Sequence, residues 1–247
     1  MSVKKSLKGM MKNNNESYQG AIEHLEELRK RIFFMLVGWV ILSIAGYIFS
    51  ERILQFLIKP LTEYQEKPFF IRPVDPFVTV MKISIFAGGF LNLPNVLYQI
   101  WLFLSPAVTI REKKTVLAAF YAFPLLFAAG AVFSFYVLVP FGLRVLFGFA
   151  GETMKPLISI GSYMSFILVF MGSLGLIFNL PFILCGLAST GVVSSGFLRA
   201  KRRYAILIVF IIAAVITPPD VFTQFLIAVP LILLYEISII IASLIKN

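Results

Sequence analysis

Histidine and cysteine are almost missing from this chain: His24 and Cys185 are each the only one of their kind in 247 residues. A lone cysteine inside an apolar run excludes a disulfide framework and a thiolate metal cluster, and it leaves the redox compartment open. A lone histidine outside every apolar run excludes an imidazole metal site or a Ser-His-Asp device within a bilayer. No cofactor is expected, and no covalent chemistry. Charge is scarce too, at 14% of residues, and acids are scarcer still, 12 against 22 lysines and arginines. With 59% hydrophobic residues and a mean hydropathy of +0.91, the composition is that of an integral membrane protein rather than of any soluble core. Residues 1–20 lack the apolar stretch of a cleavable signal. Their Lys4, Lys5, Lys8 and Lys12 read as a mobile basic arm drawn to anionic lipid. Only Tyr18 supplies an aromatic ring there, so nucleic acid is not an expected partner.

What the chain does have is long runs without charge. Residues 32–50, 83–110 and 115–143 each hold enough apolar sequence for one membrane crossing of about 20 residues. A fourth helix fits before the Gly/Ser-rich stretch at 189–196. Two more flank Thr217-Pro218-Pro219-Asp220, where successive prolines stop a helix. The expected fold is all-α and polytopic: one domain over 21–247, with helices near 31–50, 79–102, 115–139, 162–187, 204–217 and 221–243. The apolar run of the fifth, 204–216, reaches only about 20 Å at 1.5 Å per residue, against about 30 Å of hydrocarbon. The fifth and sixth helices are therefore expected to be short and to form a concave cup. The bilayer beside them either thins, or the basic residues at 199–203 snorkel. Proline-bearing segments at 51–77, which includes Pro60, and at 140–161 read as structured caps, with 53–58 as an amphipathic helix at the interface. With six crossings, fifteen of the 22 basic residues fall on the side holding both termini and six on the other, which places both ends in the cytoplasm.

The most informative stretch is Glu23-His24-Leu25-Glu26-Glu27-Leu28-Arg29-Lys30-Arg31, immediately before the first apolar run. On a helix, Glu27 shares a face with Arg31, and Glu26 with Lys30, so the plain reading is two surface ion pairs. The sharper reading is a carboxylate beside the bilayer that receives a guanidinium from another molecule, because an arginine fork meets a carboxylate through two hydrogen bonds.

Five separated motifs carry a family resemblance. They are His24-Leu25-Glu26-Glu27-Leu28-Arg29-Lys30-Arg31; Pro94-Asn95-Val96-Leu97-Tyr98-Gln99-Ile100-Trp101; Ser105-Pro106-Ala107 with Arg111-Glu112-Lys113-Lys114; Thr217-Pro218-Pro219-Asp220-Val221-Phe222-Thr223-Gln224; and Leu234-Tyr235-Glu236-Ile237. Together, over about residues 22–243, they resemble the TatC family, the receptor and core subunit of the twin-arginine protein translocase. The resemblance implies six helices with both ends inside, in the bacterial cytoplasmic membrane.

It further implies that Glu27 and Glu112 receive the paired arginines of a folded cargo's signal peptide. Arg29 belongs to the same motif, and Phe103 stands next to the site. Thr217 and Gln224 match polar positions that seat the single-span TatA or TatB helices, or a bifunctional TatA, and the receptor is expected to self-associate. Asp220 suits the N-terminus of the sixth helix, and Glu236 is the one acid inside a span. One departure stands out. Where the family commonly has Phe-Glu-x-Pro, this chain has Phe178-Asn179-Leu180-Pro181, and Asn179 cannot titrate. A secondary transporter of a small solute is the competing reading; it calls for paired midplane charges or broken helices in repeated halves.

Overall fold

A computed structural model describes residues 2–62, 68–104, 113–148, 157–189, 193–216 and 221–245, with side chains over 24–62, 68–103, 121–148, 157–188, 193–215 and 221–244. Every regular element among them is helical. Helix α1, Ser2–Ile48, runs without a break from the basic segment into the first apolar run. Two short helices follow, α2 (Ser50–Leu57) and α3 (Lys59–Thr62), and then α4 (Asp75–Leu104). Next come α5 (Lys113–Phe133), a π-helical turn (Ser134–Leu138) and α6 (Val139–Gly148). The remainder is α7 (Ile160–Ile177), α8 (Leu180–Ser189), α9 (Ser195–Ala200), α10 (Arg202–Ile216) and α11 (Val221–Ile245).

Among the described residues, five stretches are long and apolar enough to cross a membrane: His24–Ile48, Asp75–Phe103, Tyr121–Gly148, Ile160–Ala188 and Val221–Leu244. Helix α10 falls short, since its 15 residues reach about 22 Å. The sixth helix corrects the expectation of a short pair. Helix α11 has 25 residues, because Glu236 is the one charged residue between Val221 and Ile245 and Pro230 is absorbed within it.

Two further boundaries differ from the sequence reading. The third span does not end near 139: the π turn shifts the backbone register, so that Pro140 falls in the first turn of α6, where its missing N–H is not needed. The fourth is broken rather than continuous. Pro181 cannot extend α7, which stops at Ile177, and α8 restarts at Leu180.

Helices α1 and α4 share the most extensive interface, and glycines explain the close approach. A Cβ at Gly88 would lie 2.5 Å from the Ser43 nitrogen, and one at Gly46 would lie 2.9 Å from the Ser84 carbonyl oxygen. Gly130 does the same for α5 against α7, where a Cβ would meet the Leu174 carbonyl oxygen at 2.5 Å. Helix α4 also packs on α7, α8 on α11, and α11 on α10.

The apolar interior forms three clusters. The first joins α2 and α3 to α7 through Leu57, Leu61, Tyr163 and Met164, and the Tyr163 hydroxyl donates to the Leu57 carbonyl at 3.0 Å. The second lies around Phe170, Leu174, Ile227 and Leu231, and the third around Ala188, Leu198 and Ile239. The segment before α4 is tied down as well. The Ile160 amide donates to the Phe69 carbonyl at 2.8 Å, and the Asp75 carboxylate accepts from the Ile71 and Arg72 amides and from Arg72 Nε. The caps expected at 51–77 and 140–161 are therefore ordered over their described parts.

Candidate functional site

On α1, His24, Glu27 and Arg31 recur at intervals of three and four and so occupy one face; on α4, Gln99 and Phe103 do the same. Because α1 and α4 lie side by side, these two faces meet. The His24 and Phe103 rings stack with centroids 4.3 Å apart and planes inclined by 18°. One turn along, Arg31 Nη2 donates to Glu27 Oε1 at 2.9 Å and Arg31 Nη1 reaches Gln99 Oε1 at 3.4 Å. Arg31 Nε is buried and has no hydrogen-bond partner among the described residues. Glu27 and Arg31 are 34% and 24% exposed, so the carboxylate remains open to solvent from one side. A recess of about 780 Å³ adjoins it, lined by Glu26, Glu27, Arg29, Lys30, Arg31 and Phe33.

The plain reading of Glu27 is thus present in the structure, while Arg29, also singled out from the sequence, is exposed and lines the same recess. The structure puts Glu27 and Arg29 on one recess and Phe103 against His24, one turn before Glu27. It adds Gln99 and His24, which sequence reasoning did not place at the site. His24, three residues before Glu27, was within reach of it; Gln99, a neutral amide in an apolar helix four residues before Phe103, was not. Glu112, Thr217 and Asp220 lie outside the described residues.

These features form a carboxylate and an amide acceptor, beside an aromatic platform, at the end of the first two apolar helices. The family model for the Sec-independent protein translocase protein (TatC) matches residues 23–230. The chain belongs to the TatC family. Curated relatives include the Sec-independent protein translocase protein TatC of Carboxydothermus hydrogenoformans, 43% identical over 225 residues that cover 91% of this chain and 93% of the relative. The TatC of Aquifex aeolicus is 36% identical, covering 90% of this chain and 94% of its own length. Among solved structures, a crystal structure of the twin arginine translocase receptor TatC superposes with a TM-score of 0.80 at 34% identity, covering 91% of this chain and all of that one. This chain is therefore a multi-pass membrane protein of a translocase receptor family.

The other residues that the TatC resemblance points to occupy distinct places. Gln224 Nε2 donates to the Phe210 carbonyl at 3.0 Å and ties α11 to α10. Glu236 is no isolated acid within a span: its Oε2 accepts from Arg202 Nη2 at 2.7 Å, across the same pair of helices. Asn179 is fully buried at the α7–α8 break, and its side-chain amide donates to the Gly175 carbonyl at 2.9 Å. Its Oδ1 has no partner among the described residues. Pro60 sits in the first turn of α3, beside the buried Leu61.

Proposed function

We propose that this protein is the signal-peptide receptor and core scaffold of a twin-arginine translocase, in a bacterial cytoplasmic membrane, with six crossings and both termini in the cytoplasm. In this reading Glu27 and Glu112 bind the paired arginines of a folded cargo's signal peptide, and Arg29 lines the approach. Phe103, braced by His24, meets the apolar part of the peptide. Thr217 and Gln224 seat TatA or TatB helices, with transport driven by the proton gradient and the receptor self-associating. The observation that carries the reading is the solvent-open Glu27 carboxylate at the end of the first apolar helix, paired with the Arg31 that also reaches Gln99 and one helical turn from the His24–Phe103 stack. A guanidinium fork meets a carboxylate through two hydrogen bonds, a geometry a lysine ammonium cannot match, so such a site prefers arginine over lysine.

Photocrosslinking from a synthetic signal peptide tests this. An Arg-Arg peptide should label the segment around Glu27 and Phe103, and its Lys-Lys counterpart should not; equal labelling by both would remove the chemical basis. The small-solute transporter gains no support from the described spans, where the one acid of α11, Glu236, is already paired with Arg202.

A further inference from the structure

Between α4 and α7 the surface is hollowed into an apolar groove of about 750 Å³, open toward the membrane. Its walls are Phe86, Phe90, Leu168 and Leu176, with Phe127 at the floor, and Trp39 closes one edge. The indole is fixed there, since its Nε1–H donates to the Ile85 carbonyl at 2.9 Å. One charge lines this groove. Lys82 Nζ donates to Ser165 Oγ at 2.7 Å, and Ser165 in turn donates to the Gly161 carbonyl at 2.8 Å, so the ammonium is steered across the groove onto α7. The nearest acid along α4, Asp75, is already held by Arg72 and two amides, and among the described residues Lys82 has no ion pair. An ammonium has three donors, so two remain for something else.

Depth decides what that is. Gln99, which meets Arg31, marks one edge of the hydrocarbon, and the helical rise from Gln99 back to Lys82 amounts to about 26 Å, close to the core thickness of about 30 Å. Lys82 therefore stands just inside the opposite edge, where its long side chain can reach the lipid phosphates, and it lines the apolar groove.

We propose that this groove is a phospholipid site. The Lys82 ammonium takes the phosphate of a net-anionic lipid in the leaflet opposite Glu27, and one acyl chain lies along Phe86, Phe90 and Leu176. Net negative charge is required because the groove offers no acid to receive the amine of a zwitterionic headgroup.

The protein has two tryptophans, so Trp101→Phe leaves Trp39 as the sole fluorescent reporter at the groove. In nanodiscs, brominated-chain phosphatidylglycerol should quench Trp39 at roughly fivefold lower mole fraction than brominated phosphatidylcholine, the advantage one lysine confers near an anionic headgroup. Lys82→Gln should abolish the difference and Lys82→Arg should retain it. Ser173→Leu, which fills the groove without touching the cation, should weaken quenching by both lipids. Equal quenching by the two lipids in the parent, or a preference that survives Lys82→Gln, would overturn the site. So would a Trp39 shielded from both, which would mean that a protein helix fills the groove. No signal peptide enters the measurement, so its outcome is independent of the receptor reading.

Discussion

Glu27 and Arg31 stabilise each other by only about 0.3–0.5 kcal/mol as a partly exposed pair one turn apart. An incoming guanidinium that forms two bonds to the same carboxylate, where Arg31 forms one, displaces a pair that contributes this little. The internal pair is therefore a weak competitor rather than a lock, and Arg31 can fall back on Gln99 when Glu27 is taken. Glu27→Gln should lower the affinity for an Arg-Arg peptide at least tenfold, with little change in melting temperature. Arg31→Gln should shift that affinity by roughly twofold or less. Fluorescence anisotropy with a labelled peptide measures both, and comparable losses in the two variants would mean that the pair acts as a unit. Glu27 and Phe103 were legible because motif and charge point at them. Gln99 was not: a neutral amide inside an apolar helix carries no signal until the neighbouring helix brings a guanidinium to it.

Among the helices, stability rests on how closely the backbones approach. Gly130→Leu would force a side chain into the Leu174 carbonyl and prise α5 from α7, costing about 1–3 kcal/mol. A thiol-reactive dye reporting on the half-buried Cys185 should show an earlier melting transition. Asn179 is a different case. At the end of α7 the Asn179 amide turns back to Leu176, which leaves the Gly175 carbonyl to be capped by the Asn179 side chain. Asn179→Leu strands that buried carbonyl and should cost about 1–3 kcal/mol by the same readout. A variant as stable as the parent would remove the capping role.

The short α10 was visible in the sequence, because Arg203 and the Pro218-Pro219 pair bound its apolar run. The long third span was not, since Pro140 reads as a stop and only a π turn moves it to a harmless position. The α7–α8 break was equally hidden, inside sequence that is apolar on both sides of it.

For the molecule as a whole, the proposed orientation rests on the distribution of lysine and arginine. In a Cys185→Ser background, Lys201→Cys should react with a membrane-impermeant maleimide only from the cytoplasmic side and Phe70→Cys only from the opposite side. The reverse pattern would invert the topology. Peptide binding should weaken steadily with added salt, since exposed charges are screened beyond about 10 Å at 0.1 M.

Only 6% of the first span's apolar window is buried within the subunit, because α1 leans on α4 along one edge and turns the rest outward. Replacing lipid tails with another polypeptide along that flank changes little in solvation, so the choice between neighbours falls to shape and to a few polar bonds. In the proposed receptor role, such a flank would let a partner helix join or leave without dismantling the subunit's own interior.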